Sequence, residues 1–391
     1  MELKKYKLRD LIKIKNGRDH KALKTGNYPV YGSGGIMRYV DSFLYDKPSV
    51  LLPRKGTLNN IQYANTAFWT VDTIYYTEVY SQKVNVYYLY NYLKLLDLSN
   101  LNTGTGVPSM TFDSYYNIKV FLPSLEEQQK IAAVLSALDS KIALNKKINA
   151  ELEAMAKELY DYYFVQFDFP NADGKPYKSS GGKMVYSDVL KREIPEGWEV
   201  KKLGEILELL KDGTHNPPKR VENGIALLTG TMFGDNFLDF SKATYITEED
   251  YKSIHSQYAP QEGDVIITKI GTLGNVNYLS KFDIPIAIHC NSALLRFPKT
   301  FGLFGFYYCK SDLFKMRLRA VKGQSIQEFV SLNRIESIFM EIPPKEIISA
   351  FNEKAQPIFD YQLSLEQETQ QLTALRDELL PLLMNGQVEV R

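Results

Sequence analysis

Ile131, Val134, Leu138, Lys141, Asn145, Ile148, Leu152, Met155, Leu159 and Tyr162 advance by threes and fours. The same stepping recurs 220 residues later as Phe351, Lys354, Ile358, Tyr361, Leu365, Glu368, Leu372, Leu375, Leu379 and Leu382. Eight of ten positions in each set are apolar or aromatic, so each segment can bury a continuous helical seam against another helix. Two such helices in one chain most simply bury their seams against each other.

The duplication reaches upstream of the helices. Leu122-Pro123-Ser124 matches Ile342-Pro343-Pro344, and Tyr115, Ile118 and Val120 match Ile335, Ile338 and Met340. Further back the offset is 215, where Leu51 to Asn60 lies over Ile266 to Asn275, and about five residues enter the second copy between these landmarks. At the front, Lys7-Leu8-Arg9-Asp10-Leu11 answers Lys202-Leu203-Gly204-Glu205-Ile206 at an offset of 195. A period this long is a tandem duplication of a whole domain with its helix, not a solenoid repeat.

The chain is therefore expected to run as a first globular domain over residues 1–123, a long helix over 124–167, a linker over 168–193, a second globular domain over 194–343, a second long helix over 344–385 and a tail over 386–391. Each globular part is large enough to bury its own core. Pro170, Gly174, Pro176 and the run Ser179-Ser180-Gly181-Gly182 mark 168–193 as loop-like. Short strands are expected at Ser49–Leu52, Thr73–Thr77, Asp264–Thr268 and Ala293–Phe297, and helices at Val84–Leu96 and Phe304–Arg319, which makes the fold class α+β.

Composition sets bounds: 44% hydrophobic and 24% charged residues describe an ordinary soluble protein, and no apolar run approaches the roughly 18 residues that span a bilayer. The start of the chain lacks the apolar core of a signal peptide. Two cysteines in 391 residues, Cys290 and Cys309, suit reduced thiols, and a cytoplasmic location is expected.

Net charge is +1, but it is unevenly placed. Residues 1–123 carry 16 Lys+Arg against 9 Asp+Glu, whereas residues 124–169 carry 5 against 8 and residues 344–391 carry 4 against 8. A basic first domain beside acidic helices points a nucleic-acid partner at the globular part rather than at the helices. The second domain, with 17 against 18, has no such footprint unless Lys211, Lys219, Arg220, Lys269 and Lys322 share one face.

Three phrases accompany the duplication: Leu122-Pro123-Ser124-Leu125-Glu126-Glu127-Gln128-Gln129-Lys130-Ile131 opening the first helix, Phe164-Val165-Gln166-Phe167-Asp168-Phe169-Pro170 closing it, and Ile194-Pro195-Glu196-Gly197-Trp198-Glu199 opening the second half. With their order and the repeat, the whole chain resembles the specificity subunits of type I restriction–modification enzymes. The resemblance implies two tandem α/β target recognition domains, each followed by a long helix. It further implies that the two helices pair as an antiparallel coiled coil with pseudo-twofold symmetry. Each domain would read one half of a bipartite double-stranded DNA target while the helix pair sets the spacer. The partners implied are two modification subunits that methylate adenine N6 and, through them, restriction subunits. S-adenosylmethionine, ATP and Mg belong on those partners, and no cofactor or metal is expected in this chain.

Base reading is expected at the loops that match between copies, Arg54-Lys55-Gly56-Thr57 and Lys269-Ile270-Gly271-Thr272. There cations can reach guanine O6 and N7, and threonine or backbone groups can hold phosphate. Further candidates are Lys15, Arg18, Lys21, Lys24, Tyr31, Ser33 and Arg38 in the first domain and His215, Lys219, Arg220, Asn275, Asn277 and Gln324 in the second. Each has a plainer reading as a solvated surface residue, and Gly56 and Gly271 as shared turn residues. In the seam, Asn145 reads either as a register-fixing buried polar residue or as a solvated opening, while Lys141, Lys354 and Glu368 are expected to snorkel to solvent.

Catalytic signals fail on inspection. Asn216-Pro217-Pro218-Lys219 lacks the aromatic fourth residue that stacks on a flipped adenine. Tyr31-Gly32-Ser33-Gly34-Gly35 lacks the lysine of a phosphate loop. His20, His215, His255 and His289 have no metal-ligand spacing. A non-catalytic subunit is expected, with a coiled-coil scaffold or an inactive recognition subunit without its own target as the alternative.

Overall fold

A computed structural model of the chain describes residues 2–101, 106–216, 218–234, 237–281, 283–321 and 329–390. The fold divides into two compact units, one holding the chain up to Asn145 and again from Glu368, the other holding Lys146–Gln367.

The first unit contains β1 (Lys4–Lys7), β2 (Ile12–Asn16), β3 (Tyr28–Gly32), β4 (Gly35–Val40), β5 (Ser49–Pro53), β6 (Gln62–Ala64), β7 (Trp69–Thr70), β8 (Ile74–Val79), α1 (Val86–Lys94), α2 (Phe112–Tyr116) and β9 (Lys119–Leu122), and the start of the long helix α3 (Leu125–Tyr160). All five residues of β5 are buried because it is flanked on both sides, in a four-stranded antiparallel sheet of order β2-β8-β5-β6. A second sheet, β4-β3-β7, pairs β3 antiparallel to β4 and parallel to β7, and β1 pairs with β9. Asn85 starts α1 by accepting from Tyr88 N at 3.0 Å, and the helix buries Tyr88, Leu89 and Leu93.

The second unit repeats this plan with β10 (Met184–Ser187), β11 (Arg192–Pro195), β12 (Glu199–Lys202), α4 (Leu203–Ile206), β13 (Leu209–Asp212), β14 (Ile225–Leu228), β15 (Thr244–Ile246), α5 (Glu248–Ile254), β16 (Val265–Thr268), β17 (Val276–Tyr278), β18 (Ile286–Ile288), β19 (Ser292–Arg296), α6 (Leu303–Lys310), α7 (Asp312–Ala320), α8 (Leu332–Glu336), β20 (Phe339–Ile342) and the start of α9 (Lys345–Met384). Its sheets, β13-β19-β16-β17 and β15-β14-β18 with β14 parallel to β18, match the first unit strand for strand, as does the β12·β20 pair. The rise in offset from 195 to 215 has a visible cause. Ser33 and Gly34 alone join β3 to β4, whereas residues 229–243 join β14 to β15, and α5 lies between β15 and β16.

Outside the long helices, two expectations change. Residues 168–193 are not merely a linker: β10 and β11 form an antiparallel hairpin there. Phe169 stacks on Tyr177 at 4.7 Å and on Trp198 at 5.5 Å, because three aromatic side chains outweigh the glycines and serines around them. The single helix expected over Phe304–Arg319 is two, since Ser311 adopts an extended conformation and accepts from Phe314 N at 3.1 Å, capping α7.

The long helices run antiparallel. In the first unit Asn145 Nδ2 donates to Glu368 Oε2 at 2.8 Å, and Arg376 Nη1 donates to Asp139 Oδ1 at 2.9 Å. In the second, Gln362 Nε2 donates to Asn149 O at 3.3 Å. Their seam is displaced from the expected one. Ile131, Leu135, Ile142, Asn145 and Ala156 are buried on α3, with Leu138, Leu152 and Leu159 half-buried. Phe351, Ala355, Phe359, Gln362, Leu365 and Thr369 are buried on α9, with Ile358, Leu372 and Leu379 half-buried. Val134 and Ile148 sit at its margin, while Met155 is 54% and Leu375 44% exposed. Every second expected position moves on by one residue, so that Leu135, Ile142 and Ala156 replace Val134, Lys141 and Met155. A heptad alternates steps of three and four, and side chains on both sides of the seam are apolar, so polarity alone does not choose which step comes first.

Each end of the hairpin is built into a core. Ile131, Ala132 and Leu135 share one with Leu380, Leu383, Met384, Tyr88 and Tyr115 in the first unit. Ala156, Tyr160, Tyr163 and Phe164 share one with Ile348, Phe351, Leu303 and Phe304 in the second. Leu135→Ala is therefore expected to cost about 2–5 kcal/mol of stability, and Met155→Ala within about 0.5 kcal/mol of none. Urea unfolding of the two variants checks this, and equal losses would restore the unshifted seam.

Candidate nucleic-acid interface

Three loops of the first unit converge on the β4-β3-β7 sheet. The turn Ser33-Gly34 is held from below: Asn60 Nδ2 donates to Ser33 O at 2.6 Å, Gln62 Nε2 donates to Gly32 O at 2.9 Å, and Ser33 N donates to Thr73 Oγ1 at 3.3 Å. Thr73 O also accepts from Arg54 N and Lys55 N at 2.9 and 3.2 Å, so the loop Arg54–Thr57 lies beside the turn. Gly56 has φ +91° in that loop, a left-handed conformation that glycine adopts without strain. The third loop, after β2, is pinned at both ends: Trp69 Nε1 donates to Arg18 O at 2.9 Å and Arg38 Nη2 donates to Leu23 O at 2.8 Å. Arg18, Lys21, Lys24, Lys55 and Thr57 are exposed, and Ser33 is half-buried.

Other candidates of this unit are occupied. Lys15 lies within β2, not in a loop, with Nζ 3.3 Å from Glu78 Oε1. Tyr31 is half-buried edge-on against Phe68 at 6.0 Å, and burial raises the pKa of its hydroxyl. Arg38 lies on β4, and its guanidinium is spent bracing the loop after β2 through Leu23 O. Arg54 is half-buried, with Nη1 on Asp72 O at 3.3 Å and its guanidinium 5.9 Å from the Tyr75 ring.

The second unit treats the matched position differently. Lys269 is 3% exposed, and its Nζ donates to Asp212 Oδ2 at 2.7 Å. His215 Nε2 stands 3.2 Å from the same oxygen. Burial pushes the Asp212 carboxyl up, but the Lys269 hydrogen bond and charge outweigh it and hold the carboxyl below its usual range. Lys269 is therefore a structural cation in this head and does not reach a base edge. Gly271, at φ +81°, turns the loop so that Thr272 and Asn275 are exposed. Thr268 Oγ1 organises it by donating to Thr272 O and accepting from Asn275 N at 2.9 Å. His215, Lys219 and Arg220 are exposed after β13. Asn277 is contradicted outright: it is fully buried on β17, with neither amide atom partnered among the described residues. Gln324 and Lys322 lie outside the described residues.

The candidates singled out in the sequence omit Asp212, Asn60, Gln62 and the half-buried His289, whose pKa is lowered by burial and by Arg220 and His215. Asn60 alone left a signal, as the partner of Asn275 in the repeat. Among the described residues no group of three or more His, Cys, Asp or Glu could hold a metal, and no helix is long and apolar enough to cross a membrane.

The family model described as the type I restriction modification DNA specificity domain matches residues 1–154 and again residues 195–379. The chain is 29% identical over 327 residues to the type I restriction enzyme MjaIX specificity subunit of Methanocaldococcus jannaschii, covering 78% of this chain and 69% of that protein. It is 27% identical over 362 residues to the type I restriction enzyme HindI specificity subunit of Haemophilus influenzae, covering 76% and 74%. The crystal structure of a type I restriction–modification system S subunit from M. genitalium has the same fold, with a TM-score of 0.66 at 17% identity over 98% of this chain and 96% of that one.

Exposed and buried cations should respond differently to removal. Lys55→Ala is expected to leave the unfolding midpoint unchanged and to lower the slope of log affinity against log salt for duplex DNA by about one. Lys269→Ala is expected to lose on the order of 2 kcal/mol of stability, because Asp212 keeps its partly buried charge with only the exposed His215 left beside it. A salt titration and a thermal melt on each variant check the assignment, and the reverse pattern would exchange the two roles.

Proposed function

The chain belongs to the specificity subunits of type I restriction–modification systems, and from that premise we propose that its two heads, taken as residues 1–123 and 194–343, each read one half of a split DNA target. The observation that carries this is a repeated scaffold bearing unlike loops. The same two sheets recur strand for strand, while the β3–β4 turn of two residues becomes residues 229–243, half-buried Arg54 is set against buried Lys269, and exposed Lys55 against half-buried Ile270. One fold presented twice with different surfaces suits two half-sequences joined in one molecule.

The helices act as the ruler between half-sites. α3 and α9 hold 36 and 40 residues, lengths of roughly 54 and 60 Å at about 1.5 Å per residue. Half-sites about 34 Å apart lie on one face of the duplex, within that reach. Each unit also carries a groove at the start of its long helix. Lys4, Tyr6, Pro123 and Leu125 line the first, and Glu199, Lys201, Pro343 and Lys345 line the second at matching positions. A partner carried in two copies needs such a repeated surface, and the modification subunits are that partner, with restriction subunits joining through them. Methyl transfer to adenine N6 and ATP-driven cleavage belong to those subunits, which bring S-adenosylmethionine, ATP and Mg; this chain supplies the address.

Methylome sequencing of cells carrying the chain with its modification partner is expected to reveal a split motif methylated in both halves. No motif from an assembled complex would leave a scaffold or an inactive recognition subunit. Exchange of residues 1–123 for those of a relative is expected to alter one half of the motif only. Insertion of four residues after Asn145 is expected to widen the gap by about two base pairs, since four helical residues add about 6 Å; an unchanged gap with both halves intact would end the ruler reading.

A further inference from the structure

The first head exposes apolar surface on β4, the edge strand of its sheet: Ile36 is 50%, Met37 59% and Tyr39 50% exposed. Strand alternation does not produce this pattern, because neighbouring residues of a regular strand face opposite ways. The register slips here. Val30 faces Arg38 while Tyr31 faces Ile36, leaving Met37 as an extra residue without a partner on β3. A bulge re-aims the side chains around it, and this one leaves both Ile36 and Met37 in solvent beside the Ser33-Gly34 turn. Native edge strands are usually blunted by charge, so large apolar side chains at the end of one mark a surface that meets something.

The surroundings indicate what it meets. The turn beside Ile36 is clamped to the Arg54–Thr57 loop through Asn60 and Ser33, with Gly56 close behind Ser33 Oγ. Residues 17–58 carry 7 Lys+Arg against 3 Asp+Glu, and exposed Arg18, Lys24 and Lys55 make no ion pair among the described residues. Unpaired cations, with Lys55 beside the turn and Lys24 at the far end of β4, flank this apolar strand and complement a phosphate backbone around an apolar feature. The major groove of B-DNA admits a two-stranded ribbon, and the thymine C5-methyl is the apolar group displayed there. A second copy of this chain would bring the same cations and repel.

We infer that Ile36 and Met37 read thymine in the first head's half-site, packing on C5-methyl groups in the major groove. The inference rests on the proposed reading of DNA by this head and adds which side chains read and which base feature they sense. It also makes the two heads unlike in chemistry, since residues 229–243 replace the short hairpin turn in the second.

The test uses the full chain with its modification partner and duplexes carrying the motif found by methylome sequencing. Each thymine of either half is replaced in turn by deoxyuridine, which removes only the methyl group. At one or two positions of one half, deoxyuridine is expected to weaken wild-type binding about fourfold, the worth of one buried methyl group. Met37→Gln and Ile36→Ser are expected to lose that sensitivity while retaining the response to the other half. The inference is overturned if the half-site altered by exchanging residues 1–123 contains no A·T pair. It is also overturned if deoxyuridine matches thymine throughout while both variants bind as wild type; sequence-specific binding then still stands, and only these side chains lose their role. A wild-type complex that distinguishes no sequence overturns both readings. Variants that bind DNA normally but abolish self-association of the chain would assign β4 to a second copy instead.

Discussion

Phe351, fully buried, meets the rings of Tyr160, Tyr163, Phe164 and Tyr307 at centroid separations of 5.9, 5.8, 5.0 and 6.0 Å. That cluster ties the end of α3 and the turn that follows it, Asp161–Val165, to the first turns of α9 and both to α6, inside the core of the second unit. In the first unit Ile131, Ala132 and Leu135 are joined to Leu380, Leu383 and Met384 in the same manner. Each such side chain is worth about 1.5–3 kcal/mol when fully buried, so the helix ends continue the cores of the heads. A head fixed to its helix by apolar packing carries the helix's direction with it. Any spacing function of the helices depends on this fixation, because a hinged head would let the gap between half-sites drift.

Between those apolar ends the seam turns polar. Asn145, Gln362 and Thr369 are buried, and Asn145 Oδ1, Gln362 Oε1 and Thr369 Oγ1 have no partner among the described residues. Buried polar groups of this kind lower stability relative to an apolar seam, but they penalise any register that removes the bonds they do make. Asn145 donates to Glu368, which Lys141 also approaches at 3.1 Å. Slippage by one heptad would break both interactions. Apolar ends thus supply the stability of the hairpin and the polar middle supplies its register, the property on which a ruler's accuracy rests.

The heads show how one scaffold carries two surfaces. The central strands β5 and β16 are buried along their whole length in both, and Tyr115 and Ile335 occupy the same buried place in α2 and α8. Divergence is confined to the connections, where backbone geometry is shared but side-chain chemistry is not. Gly56 and Gly271 turn their loops alike, yet Arg54 leans on the Tyr75 ring whereas Lys269 is drawn inward by Asp212. Loops can vary in this way because the scaffold beneath them satisfies its own hydrogen bonds.

Much of the fold was legible in the residues. The 220-residue repeat, the two long helices, the tandem α+β heads and the sheet strands at Ser49–Leu52 and Asp264–Thr268 all followed from periodicity and matched phrases, because those patterns record burial along a single element. What periodicity could not resolve was anything set by a second element. Whether Val134 or Leu135 faces the seam depends on the packing of the opposite helix. Whether Lys269 reaches solvent depends on an aspartate 57 residues away in the sequence. Whether Asn277 is a surface amide or a core residue depends on the pairing of β17 with the fully buried β16 and on what packs on that sheet. The outward turn of Ile36 and Met37 depends on a bulge that exists only in the pairing of β3 with β4. The sequence by itself determined which segments are elements and that they occur twice; the tertiary structure alone decided which side chains are left to meet a partner, because exposure belongs to the contacts between elements and not to any one of them.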